Sequence, residues 1–224
     1  MSQDQIPSDA WKLLSPQLTD KRRERMLKTV GQRTNHVRLI VQDVHQPHNV
    51  SACIRSAEAF GVQNIDVVTL STKFNPSTVA RGVDEWVSIK KHESIPACIT
   101  DLKQRGYLIA AAFPHGNAVS LHELPVDKPI AVAFGNEHEG LDSTWRDAAD
   151  LCFTIPMFGI VESLNISVCA AITLHELTTK SRNTLPHDRY HLSPADQERL
   201  LNSWICRQIT SWHQQLPRLR ERLS

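Results

Sequence analysis

Along the centre of the chain, short closed runs of apolar residues alternate with segments of helical period. His36–Val44, Asn64–Leu70, Tyr107–Phe113, Pro129–Phe134 and Leu151–Ile155 are dense in Val, Ile, Leu, Ala and Phe and read as buried strands. Between them Val50–Phe60, Pro76–Gly82 and Ile95–Arg105 read as helices, the first capped by Asn49 and stopped by Gly61. Asn165–Arg182 carries Val168, Ile172 and Leu177 along a longer helix. The alternation of strand and helix predicts an α/β domain with a mostly parallel sheet over residues 39–182.

The ends lack the strand pattern. Leu18–Val30 reads as an Arg-rich helix, and Ser193-Pro-Ala-Asp196 opens another with a cap serine and a first-turn proline. That helix is expected to run to Gln215 and to stop before Pro217, with Arg218, Arg220 and Arg222 beyond it. Three parts follow: a helical arm over 1–38, the α/β domain, and a second helical arm over 183–224.

Composition changes this picture in one respect. The 224 residues are 41% hydrophobic and 22% charged, ample for a core without disulfide or metal support. The net charge of +1 lacks the basic excess of a nucleic-acid binder. By segment the meaning reverses: residues 1–38 carry eight Lys/Arg against four Asp/Glu, 39–175 nine against fifteen, and 176–224 eight against five. An acidic centre lies between two basic ends, and basic helices suit a phosphate backbone as well as a solvated surface.

Several functions are excluded by pattern. The first residues have no basic segment followed by an apolar one, and no run of about 18 apolar residues occurs, so neither secretion nor membrane insertion is expected. Five scattered cysteines without a C-x-x-C pair fit reduced thiols and a cytoplasmic protein. His45 with His48, and His138 beside Glu139, lack ligand spacing, so no metal is expected. No G-x-G-x-x-G follows a strand, Gly135–Gly140 lacks the Lys-Ser/Thr of a P-loop, and neither H-E-x-x-H nor G-x-S-x-G occurs.

Three segments follow strand ends, where parallel sheets place their sites. Gln46–Arg55 (QPHNVSACIR) is a turn and helix start with one arginine, readable as a plain surface helix or as a site element. Phe134–Gly140 (FGNEHEG) sets two glycines beside carboxylates, which lets a ligand approach backbone amides. Ile155–Ser167 (IPMFGIVESLNIS) holds more polar residues than one helix cap needs, although Ser163 or Asn165 serves as that cap.

Together the three segments resemble the SpoU/TrmH family of RNA ribose 2′-O-methyltransferases. The first matches its N-x5-R motif at Asn49 and Arg55, the second G-x-E-x-x-G at Gly135, Glu137 and Gly140. The third matches I-P-M-x-G-x-x-x-S-L-N-x-S-x-x-A from Ile155 through Ala170. The resemblance implies a trefoil-knotted sheet, against the general rule that chains do not thread their loops, and a homodimer that completes the site. It implies S-adenosylmethionine as cofactor, held by Ala112, Phe134, Gly135, Asn136, Glu137, Gly140, Ile155, Met157 and Leu164. It further implies catalytic roles for Arg55, Asn49, Glu137, Ser163 and Asn165.

Helices at both ends match the members that act on the tRNA D-loop guanosine, which implies RNA contacts for Lys21, Arg22, Arg23, Arg25 and Lys28 together with Arg55. A ribosomal RNA ribose and the tRNA anticodon-loop ribose are the competing substrates. A catalytically silent knotted RNA-binding protein is the alternative of another class.

Overall fold

The structure, a computed structural model, describes residues 6–44, 46–70, 82–114, 117–136 and 139–222. Helices α1 (Ala10–Leu14) and α2 (Asp20–Val30) lead into β1 (Val37–Gln42), α3 (Pro47–Ala59), β2 (Asn64–Val68) and β3 (Ser88–His92). There follow α4 (Ile95–Gln104), β4 (Leu108–Ala112), the two-residue β5 (Val119–Ser120) and β6 (Ile130–Phe134). Next come α5 (Ser143–Ala148), β7 (Leu151–Thr154), α6 (Ile166–Thr184), α7 (His187–Tyr190), α8 (Pro194–Gln208) and α9 (Trp212–Glu221). The chain divides into two units, Thr34–Tyr190 and the two termini, Met1–Arg33 with His191–Ser224.

The first unit is built on a seven-stranded sheet of order β3-β2-β1-β6-β4-β7-β5, parallel at every pairing. Its central strands are buried on both faces, which is why β1 and β6 read as nearly unbroken apolar runs. Val37, Leu39 and Val41 of β1 face a core shared with Val50 and Ile54 of α3 and with Ala170 and Leu174 of α6. Ile40 faces the opposite core, with Ile99 and Leu102 of α4 and Trp145 of α5.

Two strands are inserted. β6 lies between β1 and β4, and β7 lies between β4 and β5. β7 thus follows both β4 and β5 in sequence and yet pairs with each of them.

Local chemistry moves some boundaries. Gln46 is the N-cap of α3 and Pro47 stands in its first turn, where a missing N–H is no loss, so Asn49 lies inside the helix and does not cap it. β3 escapes the apolar pattern because it is an edge strand with Lys90 and Lys91 exposed, a composition that discourages further pairing. Of the helix expected over 76–82, only Gly82 falls among the described residues.

The terminal unit has its own core: Ala10 and Leu14 of α1 pack with Ile205 and Cys206 of α8 and with Trp212 and Leu216 of α9. Buried Asn202 accepts a hydrogen bond from the Trp11 amide (2.7 Å) and donates to the Ser8 carbonyl (3.0 Å). The single C-terminal helix expected to Gln215 is instead two, because α8 ends at Gln208 and α9 carries Pro217 inside it. A straight continuation would carry Trp212 and Leu216 away from Leu14; the break at Ile209–Ser211 returns them to the core.

Candidate functional site

In the order β1-β6-β4-β7, four adjacent parallel strands end at one edge of the sheet. The chain runs outward from β1 to β2 and β3 and then returns to the far side of β6, so this edge is a topological switch point, where parallel sheets form their crevice. All three motif segments leave the sheet there: β1 leads to α3, β6 to the glycine loop and β7 to residues 155–165.

α3 and α6 pack against the same face of the sheet, and their first turns meet. Asn49 is buried, at 5% exposure, and its Oδ1 accepts a hydrogen bond from Asn165 Nδ2 at 3.2 Å. Asn165 is also the N-cap of α6, its Oδ1 accepting from the Ser167 amide (2.8 Å) and hydroxyl (2.6 Å). Residues 116 positions apart are thereby joined, and Asn165 both caps the helix and reaches Asn49. Ser163 is exposed and is not the cap. Arg55, on the outer side of α3, is exposed as well and forms no ion pair among the described residues.

The loop after β6 is folded against itself. Asn136 and Gly140 form an antiparallel bridge, with Asn136 N donating to Gly140 O at 3.2 Å and Gly140 N to Asn136 O at 3.1 Å. The Glu139 amide donates to Asn136 Oδ1 at 2.7 Å, and Gly140 takes the left-handed φ of +72°. A Cβ on Gly135 would lie 1.9 Å from the Gly140 carbonyl carbon, so only glycine permits this closure. Glu137 lies outside the described residues.

The remaining candidate cofactor residues surround these ends. Ala112 closes β4, and buried Phe134 closes β6 with its ring edge-on to Phe153 (centroids 6.0 Å apart). Ile155, Met157 and Leu164 are half-buried. Among the described residues, 156–164 form no backbone–backbone hydrogen bond, so their amides and carbonyls are not spent on secondary structure. Cys169, nearby on α6, is held protonated because burial raises its pKa.

Gln42 was not reached from the sequence. It is buried at the end of β1, and its Oε1 accepts from Trp145 Nε1 (2.8 Å) and from the Asp142 amide (3.2 Å), just past the glycine loop. The available signal was a polar residue closing a central strand that is apolar over Leu39–Val41.

One group of possible metal ligands, Asp66, His92 and Asp101, lies on the α4 side of the sheet. Asp66 is already engaged there, accepting from Arg38 Nε and pairing with His92 Nε2, each at 2.8 Å. A guanidinium at that carboxylate satisfies its charge from within the fold.

In the terminal unit, Arg22 donates to Gln208 (2.7 Å) and Arg23 pairs with Asp20 (2.7 Å). Lys21, Arg25 and Lys28, at i, i+4 and i+7 of α2, form one exposed stripe. In the sheet unit, a cavity of about 440 Å³ is lined by Leu121, Ile155, Pro156, Phe158, Ile172 and His175, among others. Phe158 and Ile160 beside it are almost wholly exposed.

A family model described as the SpoU rRNA Methylase family matches residues 36–175. The chain is 33% identical over 174 residues to the tRNA (guanosine(18)-2′-O)-methyltransferase of Borreliella burgdorferi, covering 77% of this chain and 79% of that one. It is 32% identical over 190 residues to the enzyme of the same name from Thermus thermophilus, covering 84% of this chain and 97% of the relative. Among solved structures, the A. aeolicus TrmH/SpoU tRNA modifying enzyme superposes with a TM-score of 0.75 at 27% identity, over 85% of this chain and 98% of that one.

Proposed function

Because the chain belongs to the SpoU methylase family, we propose that it transfers a methyl group from S-adenosylmethionine to the ribose 2′-hydroxyl of the D-loop guanosine of tRNA, position 18 in the relatives' names. The observation that carries this reading is the Asn165–Asn49 hydrogen bond. It joins two of the three motifs at the strand edge and leaves Arg55 exposed on the same helix as Asn49.

The residues at this edge suit the cofactor. Unspent backbone groups over 156–164 can hydrogen-bond an adenine edge or ribose, and Ile155, Met157, Leu164 and Phe134 offer an apolar wall. The glycine loop brings backbone close without side-chain interference. When bound, S-adenosylmethionine supplies an electrophilic methyl on a sulfonium.

The chain's own part is to orient the ribose and make its hydroxyl a better nucleophile. A guanidinium has a pKa above about 12 and stays charged, so Arg55 acts as a cation and not as a proton acceptor. It clamps the phosphate beside the target ribose and stabilises the developing alkoxide, while the proton leaves to that phosphate or to water. Asn49, its carbonyl held by Asn165, fixes the start of the Arg55 helix. The Ser163 hydroxyl faces solvent at the edge and is available to the ribose or cofactor. Glu137 is assigned to ordering the glycine loop.

RNA phosphates are gripped by Lys21, Arg25 and Lys28, whose side chains share one face of α2; Arg22 and Arg23 are partly committed to Gln208 and Asp20. The active form is a homodimer. The exposed Phe158, Ile160 and Val161, with Val168 and Ile172 on α6, give it an apolar surface beside the cavity. Among the described residues no helix is long and apolar enough to cross a membrane; a cytoplasmic setting suits a tRNA substrate.

Incubation with methyl-labelled S-adenosylmethionine and, separately, unmodified tRNA and ribosomal RNA, followed by ribose mapping, tests the reading. Label at the D-loop guanosine alone is expected. Label confined to ribosomal RNA or to the anticodon loop would reassign the substrate, and cofactor uptake without product from any RNA would remove the enzyme claim.

A further inference from the structure

We propose that Gln42 is a positioning residue that holds the glycine loop, Gly135–Leu141, against the strand that leads to Asn49 and Arg55; this deepens the methyltransferase reading and rests on it. Two consecutive residues of β1 govern the loop. Val41 pairs with Phe134 in the parallel β1–β6 ladder and so fixes where the loop leaves the sheet. Gln42 fixes where it returns, its single Oε1 accepting from the Asp142 amide at 3.2 Å and from the Trp145 indole at 2.8 Å.

The loop's internal bridge between Asn136 and Gly140 ties it to itself and not to the sheet. Beyond Gly140, the hold on the sheet comes from Leu141 and Trp145, which pack apolar surface, and from the Gln42 oxygen, which supplies direction. Apolar packing tolerates small sliding, whereas a two-donor hydrogen bond at a buried oxygen does not. The next residue adds a second anchor. Asp43 takes a left-handed φ of +46°, and its Oδ1 accepts from the Leu70 amide at 2.7 Å, fixing the turn from β1 towards α3. The end of β1 therefore sets both the glycine loop and the start of the Arg55 helix.

Trp145 is fully buried, so replacing Gln42 by leucine leaves its indole N–H without an acceptor as well as releasing the loop. Glutamate at the same position keeps the reach and offers carboxylate oxygens to the same two N–H donors. The distinction between positioning and bulk stability is read from kinetics on folded protein.

Wild type, Gln42→Leu, Gln42→Glu and Trp145→Phe would be titrated with S-adenosylmethionine by calorimetry, checked for fold by circular dichroism, and assayed for methyl transfer to tRNA. Losing the hydrogen bonds to the Asp142 amide, where the loop ends, and to the Trp145 indole of α5 should weaken cofactor binding, and raise its KM, about tenfold in Gln42→Leu. The kcat at saturating cofactor should stay within about threefold, Gln42→Glu should recover most of the loss, and Trp145→Phe should shift KM the same way by less. A folded Gln42→Leu with wild-type cofactor affinity, or a Gln42→Glu as weak as Gln42→Leu, would overturn the proposal. Should Gln42→Leu not fold, Trp145→Phe and Gln42→Glu decide it, an unchanged KM in Trp145→Phe counting against. No cofactor uptake by the wild type would instead defeat the methyltransferase reading itself.

Discussion

Replacing Gly135 by alanine asks the glycine loop to open. The added methyl carbon would lie 1.9 Å from the Gly140 carbonyl carbon, 2.0 Å from its oxygen and 2.1 Å from the Leu141 amide, all of them backbone atoms. No side chain can rotate away, so the two arms must separate by about 1.5 Å or more to reach ordinary van der Waals distance. The bridge bonds, now 3.2 and 3.1 Å, cannot survive that displacement. Two backbone hydrogen bonds at a net ~0.5–1.5 kcal/mol each put the loss at about 1–3 kcal/mol. With a urea slope of about 1–3 kcal/mol per molar, the unfolding midpoint should fall by roughly 1 M.

Gly140→Ala is the informative comparison. Its φ of +72° makes alanine strained, at about 1–2 kcal/mol, yet nothing lies within 4 Å of the new Cβ, so the bridge stays closed. Amide hydrogen exchange separates the two variants where their stabilities overlap. Protection at Asn136 and Gly140 should vanish in Gly135→Ala and persist in Gly140→Ala. Slow exchange at both amides in Gly135→Ala would refute the steric reasoning.

Three further outcomes follow from the geometry. Asn165→Asp keeps the acceptor that caps α6 but cannot donate to Asn49, so its thermal midpoint should stay near wild type while methyl transfer falls by about tenfold or more; retained activity would remove the Asn49 link from the mechanism. Burial pushes the His36 pKa below 6.5, so the fold holds the ring neutral, with Nε2 2.8 Å from the Val126 carbonyl. As pH falls through 6.5 the unfolded chain takes up that proton first, and stability drops until the lowered folded value is passed. Urea midpoints from pH 7.5 to 5.0 should therefore fall more steeply for wild type than for His36→Gln, and equal slopes would contradict this. Neutralising Lys21, Arg25 and Lys28 together should flatten the salt dependence of tRNA binding by about two to three units of log–log slope, whereas Arg23→Gln alone should change it little; an unchanged slope in the triple variant would place the RNA elsewhere.

Deleting residues 1–30 is a poor substitute for that triple variant. Ala10 and Leu14 would leave with the deletion and uncover Ile205, Trp212 and Leu216, so lost RNA binding would not distinguish charge from unfolding. Read along the sequence, the termini are two separate basic segments; in three dimensions they share one core.

The strands β1, β6 and β7, the long helix α6 and the three motif segments were legible because each depends on a local pattern: apolar runs for buried strands, a cap with apolar spacing for the helix, glycines where backbone must approach backbone. Edge strand β3 and short helix α5 were not, since Lys90 and Lys91 face solvent in the one, and the other is held through Trp145 by a tertiary contact. Asn49 shows the division within a single residue. Its place beside a helix start could be read from Pro47-His-Asn, but its burial and its bond to Asn165 arise only when α3 and α6 cover the same face of the sheet. Gln42 shows it more sharply, because a glutamine at a strand end has no meaning until Asp142 and Trp145 are brought to it from a hundred residues away. By itself the sequence determined which segments form elements and which carry chemistry, because propensity and periodicity act over a few residues. Only the tertiary structure decided which segments meet, because strand order and the insertion of β6 and β7 are set by long-range packing that no local pattern encodes.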